Sequence, residues 1–222
     1  MKYIQYLFCF LMLVLSVVSC DKHVNKGKLS MLRGIKIMGD TIPTKALLRL
    51  DSIRPHFDNE SEYMRNKFAL LDIRLRDKAF ITHKSDSVIK NVCCYFEENG
   101  SAAERQEAYY YMASVYRDLN DYPNAVTNFL KAIDIAEKNE DTDSYILQVS
   151  YTQLAYMYGE QFNYSEALEA MLKGLEVAEK HGNATERTYM SVAGFYYDLK
   201  DTVNTLLFLY QGNGNCGEEG GW

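Results

Sequence analysis

A pattern of aromatic residues and alanine occurs three times in this chain and constrains its fold more than any other feature. A tyrosine is followed three residues later by a large apolar residue, then directly by an alanine, and after three more by a second tyrosine. The copies occupy residues 109–116, 151–158 and 189–196. These offsets place all four side chains on one side of an α-helix, where the small alanine lets a neighbouring helix approach closely. The pattern therefore predicts packed helices.

A second helix is predicted after each of the first two copies, because a short turn and another run of small and large apolar residues follow. The turns read "LNDYPNA" and "QFNYSEA", and the runs are Ala125, Phe129, Ala132 and then Ala167, Met171, Gly174. From Ala113 to Ala155 to Ala193 the spacing is 42 and then 38 residues. This is an internal repeat of paired helices, and such pairs bury their apolar sides only by stacking.

The rest of the chain also favours helices, since its three prolines can all lie at helix edges and no alternating strand pattern is evident. The predicted helices lie near residues 42–54, 60–79, 85–98, 102–119, 122–138, 142–161, 164–180 and 184–199, with a short one from about 202.

At these residues the chain resembles the tetratricopeptide repeat family. The resemblance is strong for 106–139 and 148–181, and weaker for 186–209, where Thr202 and Thr205 replace the usual aromatic residue and alanine. It implies an all-α protein, a right-handed α-solenoid of antiparallel helix pairs over residues 100–210. Residues 41–99 match only as amphipathic helices, and "MRNKFALLDIRLRDKAF" with "SDSVIKNVCCYF" suggests a divergent leading repeat.

The first 20 residues have the pattern of a bacterial lipoprotein signal peptide. Lys2 precedes an apolar run that is shorter than a membrane-spanning helix, and "VVSC" resembles the lipobox, in which the cysteine is acylated. Lipidation at Cys20, export and anchoring to a bacterial membrane are therefore predicted, with residues 21–40 as a polar tether. The alternatives are a secretory signal cut nearby, or an uncleaved anchor with an incidental cysteine. The chain as a whole looks like exported tetratricopeptide proteins of the Bacteroidetes type.

The family resemblance also implies a binding surface. The first helices of such repeats line a concave groove, and side chains beside the packing stripe point into it. By offset these residues are Tyr110, Ser114, Arg117, Thr152, Tyr156, Arg187, Met190 and Tyr197. Aromatic residues and arginine suit an extended peptide or a helix of another protein. In the alternative interpretation, Tyr110 and Tyr156 only cover neighbouring helices.

Other kinds of function have little support in the sequence. The four histidines are scattered and have no partner at catalytic or metal-ligand spacing, and no HExxH, GxSxG or phosphate-binding loop occurs. The number of cysteines after residue 20 is odd and none has CxxC spacing, so they suggest neither a zinc site nor a disulfide framework. The 30 Asp and Glu outnumber the 24 Lys and Arg, which argues against nucleic acid. We predict a protein without enzymatic activity, metal or cofactor.

The C-terminus departs from the repeat pattern, with five glycines between residues 212 and 221. Because glycine weakens helices by about 1 kcal/mol per position, residues 211–222 are predicted to be disordered and the last helix to stop near Tyr210. The chain looks like a shortened repeat protein whose uncovered end self-associates or frays. Two functions remain open, namely a membrane-tethered scaffold for a protein or peptide partner, and the sensory part of an envelope regulator whose membrane span and output segment are missing.

Overall fold

The computed structural model describes residues 25–215, and within them the chain forms ten α-helices and one short 3-10 helix. The helices, in chain order, are α1 (Lys26–Thr41), α2 (Pro43–Ile53), α3 (Glu62–Lys78), α4 (Ser87–Asn99), α5 (Ala102–Asp118), α6 (Tyr122–Lys138), α7 (Ser144–Glu160), α8 (Tyr164–Lys180), α9 (Glu186–Asp198) and α10 (Thr202–Asn215), with the 3-10 helix at Arg54–His56. No described residue is in a strand, so the all-α prediction is confirmed.

Consecutive helices pair, and the pairs stack one after another into a solenoid. In the three repeats found by sequence, Ala113, Ala155 and Ala193 are buried where the first helix meets its neighbours. The second helices have small residues at the matching points. A Cβ atom added to Gly174 would lie 3.3 Å from the Cβ of Tyr151, and one added to Gly212 would lie 3.3 Å from the Cβ of Tyr189. The predicted repeat register is therefore that of the structure.

Each first helix from α3 to α9 ends in the same turn. The second residue after the helix is left-handed in all four cases, at Phe80, Asn120, Phe162 and Lys200, with φ between 57° and 62°. The next amide donates to a carbonyl five residues back, as in Ile81 to Arg76 at 2.9 Å and Asp121 to Tyr116 at 2.9 Å. This is the Schellman motif. Because α3 ends in the same way as the first helices of the clear repeats, its geometry is consistent with the divergent leading repeat that the sequence suggested for α3 and α4.

One helix was not predicted. Residues 21–40 were expected to be a polar tether, but from Lys26 onward they form α1, so that expectation is wrong for this part. Leu32 and Ile35 of α1 are buried in a core cluster that α1 forms with α2 and α3. Gly39 lies so close to α3 that an added Cβ would be 2.2 Å from Cδ2 of Leu75. Three glycines and many cations concealed the helix in the sequence, although its short apolar stripe packs on α2 and α3.

The last helix is also longer than predicted. Residues 211–215 were expected to be disordered, but α10 runs from Thr202 to Asn215. Gly212 is buried at the small-residue position of the repeat, where the close contact with Tyr189 outweighs the poor helix propensity of glycine. The rest of the predicted tail, like the predicted signal peptide and Cys20, lies outside the described residues.

Ala155 offers a direct test of this packing. Ala155→Leu is expected to lower the free energy of unfolding by about 1–3 kcal/mol, because Ala155 is fully buried and three added carbons must displace a neighbouring helix. Gly194→Leu is the control, since an added Cβ there has no atom within 4 Å and leucine is the better helix former. Urea denaturation followed by circular dichroism measures both variants, and equal midpoints would contradict the repeat register.

Candidate binding cleft

The first helices α5, α7 and α9 carry the residues that were predicted to line a groove, but the structure separates these residues into three groups. Some are buried, some are engaged in contacts between repeats, and others line a cleft or stand in solvent. Sequence offsets do not show which of these residues other helices cover.

Two of the three residues predicted on α5 are buried. Ser114 has no exposed surface, and the ring of Tyr110 lies edge-to-face with Tyr111, at 4.9 Å between centroids, and 5.7 Å from Phe129. Burial raises the pKa of the Tyr110 phenol above its ordinary value. The prediction that Tyr110 and Ser114 line an open groove is therefore wrong, and the alternative interpretation of Tyr110 holds. The unpredicted α1 contributes to the covering of α5, because its Lys36 reaches Glu107.

Arg117 holds three repeats together. Its guanidinium donates to Asp77 of α3 at 2.8 Å and to Gln153 of α7 at 2.9 Å, and it also contacts the neighbouring Asp118 at 3.2 Å. Burial alone would lower the pKa of Arg117, but Asp77 and Asp118 raise it above its ordinary value. Arg117 is thus largely occupied by the protein itself, and it positions Gln153 at the edge of the cleft described next.

A cleft of about 460 Å³ lies between α7 and α9, and it brings together three predicted residues, Thr152, Tyr156 and Arg187. The hydroxyl of Tyr156 is 3.0 Å from that of Ser191 on α9, and its ring is 6.2 Å from the ring of Phe195. Tyr156 nevertheless stays 39% exposed. The complete lining is Tyr145, Gln148, Val149, Thr152, Gln153, Tyr156, Met171, Asn183, Thr185, Arg187, Thr188 and Ser191.

The chemistry of this cleft is that of a polar, mostly neutral surface. Three amide side chains and several hydroxyls line it, and Arg187 is the one charged residue in the lining. No described acid forms an ion pair with Arg187. The Oε1 atom of Gln148 is buried without a hydrogen-bond donor among the described residues. Amides and hydroxyls can bind the backbone of an extended peptide, and Arg187 can bind a carboxylate.

The two remaining predicted residues are exposed on α9 but do not line the cleft. Met190 is 51% exposed and Tyr197 is 73% exposed. Within residues 25–215, no cluster of three or more histidine, cysteine or acidic side chains could hold a metal ion.

A second cleft, of about 450 Å³, was missed by the sequence analysis because α1 forms one of its walls. It lies between α1, α3 and α5. Its acids are already neutralised, since Lys36 contacts Glu107 at 2.8 Å, Lys67 contacts Glu104 at 3.3 Å, and Tyr63 donates to Glu104 at 2.8 Å. Burial alone would raise the pKa of Glu107, but Lys36 and Arg74 hold it below its ordinary value. These contacts join the first three helix pairs.

Comparisons with known proteins agree with this fold. Residues 104–180 match the tetratricopeptide repeat family. No curated protein is significantly similar to the chain in sequence.

Among solved structures, BtubC (BKLC) from P. vanneervenii is similar at a TM-score of 0.63 and 13% identity, over 88% of this chain and 78% of that one. A protein from Podosopora anserina with nearly identical TPR-like repeats has a TM-score of 0.60 and 14% identity, over 86% and 97%. A Rap protein complexed with competence and sporulation factor has a TM-score of 0.66 and 13% identity, over 81% of this chain and 51% of that one. At these identities the likeness establishes a TPR-like solenoid fold.

Proposed function

We propose that this protein is a scaffold without enzymatic activity, tethered to a bacterial membrane through Cys20, which binds an extended segment of another protein in the cleft between α7 and α9. The observation that supports the binding role most strongly is the cleft itself. It joins an exposed aromatic ring at Tyr156, a cation at Arg187 with no ion-pair partner among the described residues, and the amides of Gln148 and Gln153, all on helices of a solenoid. A TPR-like solenoid is consistent with protein binding, and the similar Rap protein was solved in complex with competence and sporulation factor.

The preferred ligand follows from the lining. The amide of Gln148 has an oxygen without a donor among the described residues, and that of Gln153, whose oxygen already accepts from Arg117, can donate through its nitrogen to the backbone of an extended peptide. Arg187 favours an aspartate, a glutamate or a terminal carboxylate, and the face of Tyr156 favours an apolar side chain next to it. The proposed ligand is therefore an extended acidic segment with at least one apolar residue.

Affinity capture from the native cell envelope tests this proposal. The acylated protein is isolated with whatever remains bound, and the bound segment is mapped by limited proteolysis and mass spectrometry. That segment is then synthesised, and its affinity is measured by fluorescence polarisation. We expect an acidic, extended segment that binds with 1:1 stoichiometry. A protein that co-purifies only through the tail beyond residue 215 would contradict the proposed site.

The tether has its own prediction. In Cys20→Ser the thioether to the lipid cannot form, so the protein is expected to leave the membrane fraction or to remain as an unprocessed precursor. Cell fractionation and intact mass measurement distinguish the two results. Normal processing and membrane retention of this variant would refute the lipoprotein assignment. Among the helices of residues 25–215, none has the length and apolar character needed to cross a membrane.

Self-association stays a prediction. On α10, the side chains of Val203, Leu206 and Tyr210 are largely exposed, so the outer side of the last described pair is apolar. Light scattering during gel filtration measures the molar mass, and a concentration-independent monomer would contradict this prediction.

A further inference from the structure

The first two helices, α1 and α2, carry a charge that differs from that of the whole protein. We refer to residues 26–53, which comprise both helices, as the leading hairpin. It contains six Lys and Arg residues against two Asp, whereas the whole chain has a formal net charge of −6. The leading hairpin is therefore a cationic region on an acidic protein.

Ion pairs within the structure neutralise both acids of the leading hairpin but leave four of its six cations unpaired among the described residues. Both acids are already bound to cations, since Asp40 contacts Arg74 and Lys78 at 2.7 and 2.8 Å, and Asp51 contacts Arg54 at 2.6 Å. Lys28 and Lys36 pair with acids outside the hairpin. The other four cations form no ion pair with any described residue, and they are Lys26, Arg33, Lys45 and Arg49.

Large apolar side chains stand beside these cations. Ile37 of α1 is 70% exposed and Leu48 of α2 is 73% exposed. Helical spacing places Lys45, Leu48 and Arg49 on one side of α2, and Lys26 and Ile37 on one side of α1. Met31, Met38 and Ile42 are also exposed. Unpaired cations mixed with exposed aliphatic residues are the composition of a surface that binds an anionic bilayer, where the cations meet headgroups and the apolar side chains enter the interface.

We infer that the leading hairpin docks on an anionic membrane surface, an inference that rests on the proposed function only for the lipid anchor at Cys20. Five residues lie between Cys20 and Lys26, so even a fully extended chain keeps the start of α1 within about 20 Å of Cys20. A second copy of the protein is a poorer occupant, because a symmetric contact would place the four unpaired cations against the same four cations. Docking would hold the leading hairpin at the membrane. The cleft between α7 and α9, several helix pairs away, would stay open to a partner.

Vesicle sedimentation tests this inference. The probe is the lipid-free chain of residues 21–222, which contains every described helix, so the result does not depend on acylation at Cys20 or on a ligand in the cleft. We expect binding to vesicles of equal phosphatidylglycerol and phosphatidylcholine at low salt. Binding to pure phosphatidylcholine vesicles should be much weaker, and high salt should release the protein from the anionic vesicles.

Two variants and a matched control define the surface. Lys45→Gln with Arg49→Gln should reduce partitioning onto anionic vesicles roughly 25-fold, because each cation near such a surface contributes about fivefold. Leu48→Ser should reduce it several-fold at unchanged charge. The control, Lys173→Gln with Lys180→Gln, removes the same charge from exposed positions on α8 and should bind as the wild type does. Equal loss in the control, absence of binding to anionic vesicles, or a dimer that Leu48→Ser dissociates would each overturn the inference.

Discussion

Arg74→Met is expected to lower the free energy of unfolding by about 3–5 kcal/mol, because it leaves a buried carboxylate without one of its two cations. The Arg74 side chain is only 5% exposed, and its guanidinium contacts Asp40 at 2.7 Å and Glu107 at 3.2 Å. Burial alone would lower the pKa of Arg74, but Tyr111, Glu107 and Asp40 raise it above its ordinary value. Arg74 thereby joins α1, α3 and α5. Urea denaturation followed by circular dichroism measures the change.

The double variant Arg74→Met with Glu107→Leu is the control for this prediction. It removes both buried charges together, so most of the lost stability should return, since Asp40 and Lys36 are exposed enough to be solvated. A single variant as stable as the wild type would show that the network contributes little. A double variant no more stable than the single one would show that the packing of the arginine stem, and not the charge, was lost.

Tyr156→Ala with Arg187→Ala is expected to weaken binding of the captured segment at least a hundredfold while leaving the helical content unchanged. Aromatic and arginine side chains contribute most of the energy at protein interfaces, often about 2 kcal/mol each, and both residues line the cleft without being buried. Fluorescence polarisation with the synthesised segment measures the affinity. Circular dichroism confirms the fold.

Met190→Ala with Tyr197→Ala is the matched control on α9. It truncates an apolar and an aromatic side chain that are both exposed but outside the cleft lining, so the affinity should change less than threefold. Loss of binding in this control together with full binding by Tyr156→Ala with Arg187→Ala would move the site along α9, towards the C-terminal end of that helix.

The repeat core could be predicted from the sequence because the pattern that defines it lies within single helices. The alanines at 113, 155 and 193 lie at fixed helical offsets from large residues. A small residue between large ones lets a neighbouring helix approach closely. Helical offsets also selected Thr152, Tyr156 and Arg187, which the structure brings together in the cleft between α7 and α9. Their role in binding stays a prediction.

The remaining errors come from contacts between distant parts of the chain. Tyr110 is closed to solvent by other helices, since it shares a core cluster with Leu70 and Ile73 of α3 and its ring lies 5.7 Å from that of Phe129 of α6. The helix α1, which carries three glycines, was not recognised from the sequence. The helix propensity of glycine predicts that α10 stops before Gly212, because the propensity takes no account of the close contact with Tyr189. Gly174 and Ala132 occupy the equivalent positions in the second helices of the two preceding repeats. Periodicity identifies packing positions, and it does not show which helix supplies the partner.

Site-specific photo-crosslinking tests the central claim most directly. A photoreactive phenylalanine analogue replaces Thr152 in the cleft or, in a second protein, Lys131 on α6, and the cells are irradiated before the envelope is isolated. If the cleft between α7 and α9 binds the partner, a covalent adduct forms from position 152 and not from position 131, and Arg187→Ala in the same chain abolishes it. An adduct from position 131 alone would place the partner on the second helices and contradict the account.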